Sequence, residues 1–228
     1  ALRLMASQGW LEQIIDGDQV GYRVLTDDGR ALLRSARVLE GVGEMVGALV
    51  VRGPLNEAST LLEGHTALCE AIGGRDLPPH LRDRLLRMAE GLVGAPLLTH
   101  LAMRGARAKM DHRGRPRLAN LPADDAVNAR LLLQGLGWCV QDDPEAPVLT
   151  TEAAFFAQRA SAYGVTVSYL RTMHRLDELL FGRGDILWDR PDGAPEAHVD
   201  RTMNVWGSGG AHAAYFKRVD ELVIDLFN

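Results

Sequence analysis

The residues with most chemical potential lie together near the C-terminal end. From position 200 the chain reads Asp-Arg-Thr-Met-Asn-Val-Trp-Gly-Ser-Gly-Gly-Ala-His, so Trp206 and His212 flank the glycine-rich run Gly207, Ser208, Gly209 and Gly210. The run is expected to be a turn that opens directly into a helix ending at Phe227. A helix start presents unpaired N–H groups and the positive end of the backbone dipole, so such a turn can receive an anionic group. The three glycines would serve close backbone approach or a hinge. In the helix that follows, Phe216, Val219, Val223, Leu226 and Phe227 fall on one face, with Lys217, Arg218, Asp220, Glu221 and Asp225 on the other.

Other chemistries find less support. Histidines stand at 65, 80, 100, 112, 174, 198 and 212, with neither HxxxH nor HExxH spacing and no cysteine pair beside them, so no metal ligands are assigned. His198, Asp200 and His212 could converge only if the intervening segment folds as a loop. Ser208 sits in Gly-Ser-Gly-Gly, which lacks the Gly-x-Ser-x-Gly spacing of a nucleophile elbow. A nucleotide-binding sheet would need a second strand carrying an acidic residue after the glycines, and none follows.

The elements that must position this segment are mainly helical. Gly9-Trp10 leads into a strand to about Ile15, a turn at Asp16-Gly17-Asp18, a returning strand from Val20 to Leu25, and a helix capped by Thr26 with Asp27 and Asp28 in its first turn. The pattern recurs at Gly137-Trp138, a turn at Asp142-Asp143-Pro144, and Leu149-Thr150 ahead of a helix. Trp10 precedes Thr26 by sixteen positions and Trp138 precedes Thr150 by twelve, so the second wing is shorter. Helix, two-stranded wing, helix is the winged-helix pattern, and two copies reinforce each other.

Between the copies, residues 30–51 are expected as one long helix with Leu32, Leu33, Ala36, Leu39, Val42, Met45, Val46 and Leu49 inward. Gly41, Gly43 and Gly47 weaken it by roughly 1 kcal/mol each unless close packing recovers the loss. Further helices are expected from Asn56 to Ile72, from Pro79, as a shorter one after Pro96, and from Val165 to Phe181. Residues 182–199 read as a connector. The fold class is therefore mainly α: a helical lobe containing two winged-helix-like units with short β-hairpins, without a nucleotide-binding catalytic sheet. It divides into 1–125 (a partial winged-helix unit plus helices), 126–182 (the second unit and a helix) and 183–228 (connector, glycine motif and terminal helix). Both ends read as cut from a longer polypeptide.

Composition narrows the class of partner. The chain has 228 residues, 46% hydrophobic and 24% charged, with a net charge of −5. This is ordinary globular composition and argues against a general nucleic-acid or anionic-membrane binder. No run of about eighteen apolar residues marks a membrane span, and Cys69 and Cys139 lack CxxC spacing, so reduced thiols and a cytoplasmic location are expected. The one basic cluster, Arg104, Arg107, Lys109, His112, Arg113, Arg115 and Arg117, has no interleaved aromatic residues. It reads as a solvated loop, or as a dock for an acidic partner or a phosphate-bearing arm.

The stretch Arg201-Thr202-Met203-Asn204-Val205-Trp206-Gly207-Ser208-Gly209-Gly210-Ala211-His212-Ala213-Ala214-Tyr215-Phe216-Lys217-Arg218-Val219-Asp220 resembles a segment of SAM-dependent methyltransferases attached to bacterial polyketide synthases, including C-methyltransferases of loading modules. The wider order of winged units and helices is similar to the N-terminal lobe of those enzymes. The resemblance implies a lid over an active site whose S-adenosylmethionine lies mainly in a separate sheet domain. It implies an acyl carrier protein and adjacent synthase domains as partners, and an iron in some members. It also implies Trp206, Gly207, Ser208, Gly209 and Gly210 beside the cofactor, with Trp206 stacking on adenine or walling off water. Met203, Asn204 and Tyr215 would lie beside the substrate, and His212 would donate to a thioester carbonyl or a carboxylate; the residues alone equally allow Trp206 as a core anchor and His212 as a helix residue without chemistry. Two other functions fit the same residues. One is a non-catalytic synthase adaptor docking a carrier through 104–117. The other is a winged-helix transcription regulator, although the helix before Trp138 offers only Arg130 as a cation beside Asp124 and Asp125.

Overall fold

Local turn and cap chemistry places the two hairpins. The computed structural model describes all residues except 1–5, 7–10, 24–25, 106–115, 142, 145, 183, 188–189, 191 and 228. Strands β1 (Glu12–Asp16) and β2 (Gln19–Arg23) pair antiparallel with Asp16 opposite Gln19, so the loop is the two residues Gly17 and Asp18. Gly17 takes φ +57°, which a first-position glycine in a tight hairpin turn supplies without strain. Helix α1 (Asp27–Arg34) follows, and the Thr26 hydroxyl accepts from Gly29 N at 3.0 Å as expected of its cap. In the second copy, α5 (Ala123–Gly135) ends before Gly137 at φ +68°. Then come β3 (Cys139–Gln141), β4 (Val148–Leu149) and α6 (Thr151–Ala157). Thr150 repeats the cap, accepting from Ala153 N at 3.1 Å, while its own N–H donates to the Trp138 carbonyl at 2.9 Å and closes the wing. Trp10, Val24 and Leu25 of the first copy lie outside the described residues.

The remaining helices are α2 (Glu40–Val51), α3 (Ala58–Gly73), α4 (Pro79–Met103), α7 (Ala160–Ser168), α8 (Leu170–Met173), α9 (Leu176–Phe181) and α10 (Arg201–Phe227). The protein is mainly α, and the described strands form only the two antiparallel hairpins. Helix α4 is central: it packs on α3 and α7, α3 packs on α2 and α5, and α10 lies along α7. Ile72, Val93, Leu97, Leu118, Leu132 and Leu133 are fully buried in one core cluster that runs from Ala31 to Ala160, across residue 125.

Three helix expectations need correction. The helix proposed for 30–51 breaks at Ser35, whose N–H donates to both Ala31 and Leu32 carbonyls, and resumes through a short 3-10 turn at Ala36–Leu39. Leu33, near the end of α1, faces outward, and after the break Ala36 is exposed while Val38 turns into the core. At Pro96 the opposite happens: α4 runs straight through. Proline removes one backbone donor and crowds the preceding turn, but Val93, Leu97, Leu98 and Leu101 are buried on that stretch and hold it helical. The segment from Val165 to Phe181 is three short helices rather than one, with breaks at Tyr169 and His174-Arg175.

Candidate functional site

Helix α10 is anchored at its start by the connector. The Asp200 carboxylate accepts from Met203 N at 3.0 Å and so caps the helix, while the Asp200 N–H donates to the Ser168 carbonyl at 2.9 Å. Thr172 Oγ1 donates to the His198 carbonyl at 2.6 Å, and Arg201 grips Glu196 through two bonds of 2.5 and 2.7 Å. That guanidinium holds the Glu196 carboxyl below the usual carboxylate range. Val199 and Met203 are buried, and the buried Asn204 amide donates to Ser168 Oγ at 3.0 Å. Ser168 Oγ in turn donates to the Val165 carbonyl at 2.6 Å. The polar atoms at this crossing are thus paired with one another.

The glycine-rich run is not a turn. Gly207, Ser208, Gly209 and Gly210 lie in the interior of the continuous helix Arg201–Phe227, and the helix begins seven residues before Ser208, at Arg201. The reason is packing against α7. A Cβ on Gly207 would stand 2.7 Å from Val165 N and 2.9 Å from Gly164 Cα, and one on Gly164 would meet Gly207 Cα at 2.9 Å and the Trp206 ring at 3.0 Å. Two glycines therefore let the helix backbones touch, which offsets the poor helix propensity of glycine. Gly209 meets nothing within 4 Å. The anion-receiving helix start expected at this run is accordingly displaced to Asp200, whose own carboxylate fills it.

The expected site residues separate into two groups along α10. Met203, Asn204, Trp206 and Gly207 belong to the crossing with α7, where Trp206 is half-buried against the core. Ser208 is half-buried, and Gly209 is exposed. His212 and Tyr215 are exposed, and the His212 ring stands edge-on to Tyr215 and Phe216, with centroids 6.3 and 6.1 Å apart. His198, Asp200 and His212 do not converge: the twelve helical residues from Asp200 to His212 span roughly 18 Å at about 1.5 Å each. Among the described residues no group of three His, Cys, Asp or Glu side chains could hold a metal, so they offer an iron no donor set. They form no cradle for S-adenosylmethionine either, because the glycines are helical and the strands are hairpins.

Beyond Tyr215 the helix is amphipathic but uncovered. Phe216, Val219, Val223, Leu226 and Phe227 are 63%, 51%, 45%, 79% and 86% exposed, although they share the face a core would bury. No helix among the described residues is long and apolar enough to cross a membrane.

Sequence reasoning did not single out a cleft of about 160 Å³ at the foot of α10, lined by Pro96, His100, Arg171, Asp200 and Met203. His100 Nδ1 donates to the Pro96 carbonyl at 2.9 Å in the tautomer that bond requires, and burial pulls the imidazole below its ordinary value. The spacing of Pro96 and His100, one helical turn, is the only signal in the sequence, and it appears once Pro96 is known to be helical. Of the basic cluster, 106–115 lies outside the described residues, Arg104 pairs with Asp125, and Arg117 is exposed.

Two comparisons bear on this arrangement. Residues 90–183, from the middle of α4 through the β3–β4 unit and just past α9, match the family described as AprA winged helix domain. Residues 196–228, the Glu196 clasp and all of α10, match the family described as AprA MT2-like domain. No curated protein matches the chain. The chain is thus similar to a winged-helix lobe associated with a methyltransferase, with α10 falling in the part that resembles the methyltransferase.

Proposed function

We propose that this chain is the lid and substrate-positioning lobe of a SAM-dependent methyltransferase that acts on an acyl group carried by an acyl carrier protein in polyketide assembly. The observation that supports it most is the split character of α10. One end is tied to the winged-helix lobe by Asp200, Asn204 and Gly207, while the other presents Phe216, Val219, Val223 and Leu226 without cover. A helix built this way joins two bodies, and its similarity to a methyltransferase-like family supplies the second.

In this reading the exposed apolar face packs on the cofactor domain and excludes water from the junction. S-adenosylmethionine, when bound there, supplies the methyl group from its sulfonium. Trp206 braces α10 at the hinge between the two bodies, with Gly207, Ser208, Gly209 and Gly210 along the same stretch. His212 is exposed one turn beyond and donates a hydrogen bond to the thioester carbonyl of the acyl-pantetheine arm, with Tyr215 beside it. Such a bond polarises the carbonyl without requiring proton transfer from the imidazole.

The division of labour is tested by isothermal titration of S-adenosylmethionine into the 228-residue chain. No heat of binding is expected at micromolar ligand, and a micromolar Kd would overturn the assignment. Titration of acetyl-pantetheine is the complementary measurement: His212→Ala and Tyr215→Ala should weaken it, and unchanged binding in both variants removes these residues from the substrate.

A further inference from the structure

A second cavity lies on the other side of α4 from the foot of α10. It is a half-open cleft lined by Trp138, Phe156, Tyr163 and Gly91, with Arg87 and Glu90 at its edge and a volume of about 180 Å³. An apolar cavity of about 150 Å³ accommodates a benzene molecule, so this one has room for a single six-membered ring.

Its walls are fixed before any ligand arrives. Gly137, at φ +68°, turns the chain after α5 and delivers Trp138, which is only 6% exposed. The indole N–H donates to the Glu90 carboxylate, and the ring lies against Gly94, where a Cβ would overlap it. Phe156 and Tyr163 stand with their rings tilted by 59° and centroids 6.3 Å apart. A pocket with rings held this way loses little freedom when it is filled.

Gly91 marks the mouth of the cavity. Glycine is the poorest helix former after proline, yet Gly91 sits inside α4 and nothing lies within 4 Å of the place where its Cβ would be. Unlike Gly94, it is not required by a neighbouring side chain. Gly91 is exposed and lines the open side of this cavity, so a side chain added there enters its mouth. The charges nearby set the sign of the ligand. Of the two charged residues on the lining, Arg87 is already paired with Asp83 at 3.1 Å, which leaves the Glu90 carboxylate as the charge at the edge.

We propose that the cavity between α4, Trp138 and the α6–α7 pair is a binding site for one aromatic ring of a small ligand whose head group is neutral or cationic. The ring stacks among Trp138, Phe156 and Tyr163, and the head group points to the Glu90 carboxylate. This site lies within the winged-helix part of the chain and does not rest on the methyltransferase reading.

The test uses the whole chain with benzyl alcohol, benzylamine and benzoate as probes, read by saturation-transfer NMR and by tryptophan fluorescence. Benzyl alcohol and benzylamine should bind with Kd on the order of millimolar, as expected for so few heavy atoms, and benzoate about tenfold more weakly. Gly91→Leu should fill the cavity, cut benzyl alcohol binding by at least about tenfold and leave the melting temperature unchanged or higher, since leucine favours the helix. Ala95→Leu, on the next turn of the same wall, should show the same loss and serves if Gly91→Leu folds poorly. Trp138→Phe should remove the fluorescence response. The proposal is overturned if benzyl alcohol fails to bind, if both filling variants bind it as well as the unaltered chain, or if benzoate binds most tightly.

Discussion

The two halves of α10 are built from similar residues and do opposite things. Residues 201–208 bury Met203, Asn204 and Gly207 against α7, with each polar atom at the crossing paired. Residues 215–227 carry more apolar side chains, yet Tyr215, Phe216, Leu226 and Phe227 are each more than half exposed. Apolar content therefore does not decide which half is anchored. Backbone approach does: only where Gly207 meets Gly164 can the helix come close enough to α7 to share hydrogen bonds with it. Two glycines and an asparagine thus hold this helix while its hydrophobic residues are offered elsewhere.

The contrast can be broken most forcefully at the crossing. Gly207→Val places a branched side chain where the Val165 backbone already lies, and should cost about 3 kcal/mol in urea unfolding. A loss below about 1 kcal/mol would mean that α10 can slide away from α7 without penalty. Asn204→Ala comes next: removing the amide strips Ser168 Oγ of its buried donor and should cost about 1–2 kcal/mol. Asp200→Ala removes the cap and should cost about 1 kcal/mol.

The other half should respond weakly. Val223→Ser and Phe216→Ser are expected within about 0.5 kcal/mol of the unaltered chain, while lowering the binding of a hydrophobic dye. If either costs as much as Asn204→Ala, the distal half is covered by this chain in solution and the comparison fails. The smallest effect is a pH dependence at the foot of the helix. Burial keeps His100 below its ordinary value of about 6.5, so the unfolded chain binds a proton there before the folded one does. Stability from this group is complete above that value and declines as pH falls through it toward the lowered folded value. His65 is shifted the same way by burial, so the melting temperature of His100→Gln should fall less than that of the unaltered chain between pH 7.5 and 5.5, but should still fall.

Elements governed by neighbours in sequence were legible. Thr26 caps α1, Gly17 makes the first hairpin turn, Gly73-Gly74 ends α3, and the second Gly-Trp to Leu-Thr interval does hold a shorter wing. The apolar face of the terminal helix was also correctly placed from periodicity. What failed were inferences from residues whose local preference the fold overrides. Local preference starts a separate helix after Pro96 and makes a turn of Gly207 to Gly210, and both stretches are helical interior. Ser35, which carries no strong breaker signal, interrupts a helix because both Leu32 and Val38 must reach the core.

The sequence by itself determined the mainly α class, the hairpin turns, the threonine caps and the sidedness of the last helix, since each depends on backbone preferences and periodicity within a few residues. Tertiary structure alone decided that the glycine run is a helix crossing, that Pro96 is carried through, and that His100 and Asp200 share a cleft. It alone brought Trp138, Phe156 and Tyr163 around one cleft. Those outcomes depend on which backbones come within contact distance, and burial of that kind outweighs local propensities worth roughly 1 kcal/mol per residue.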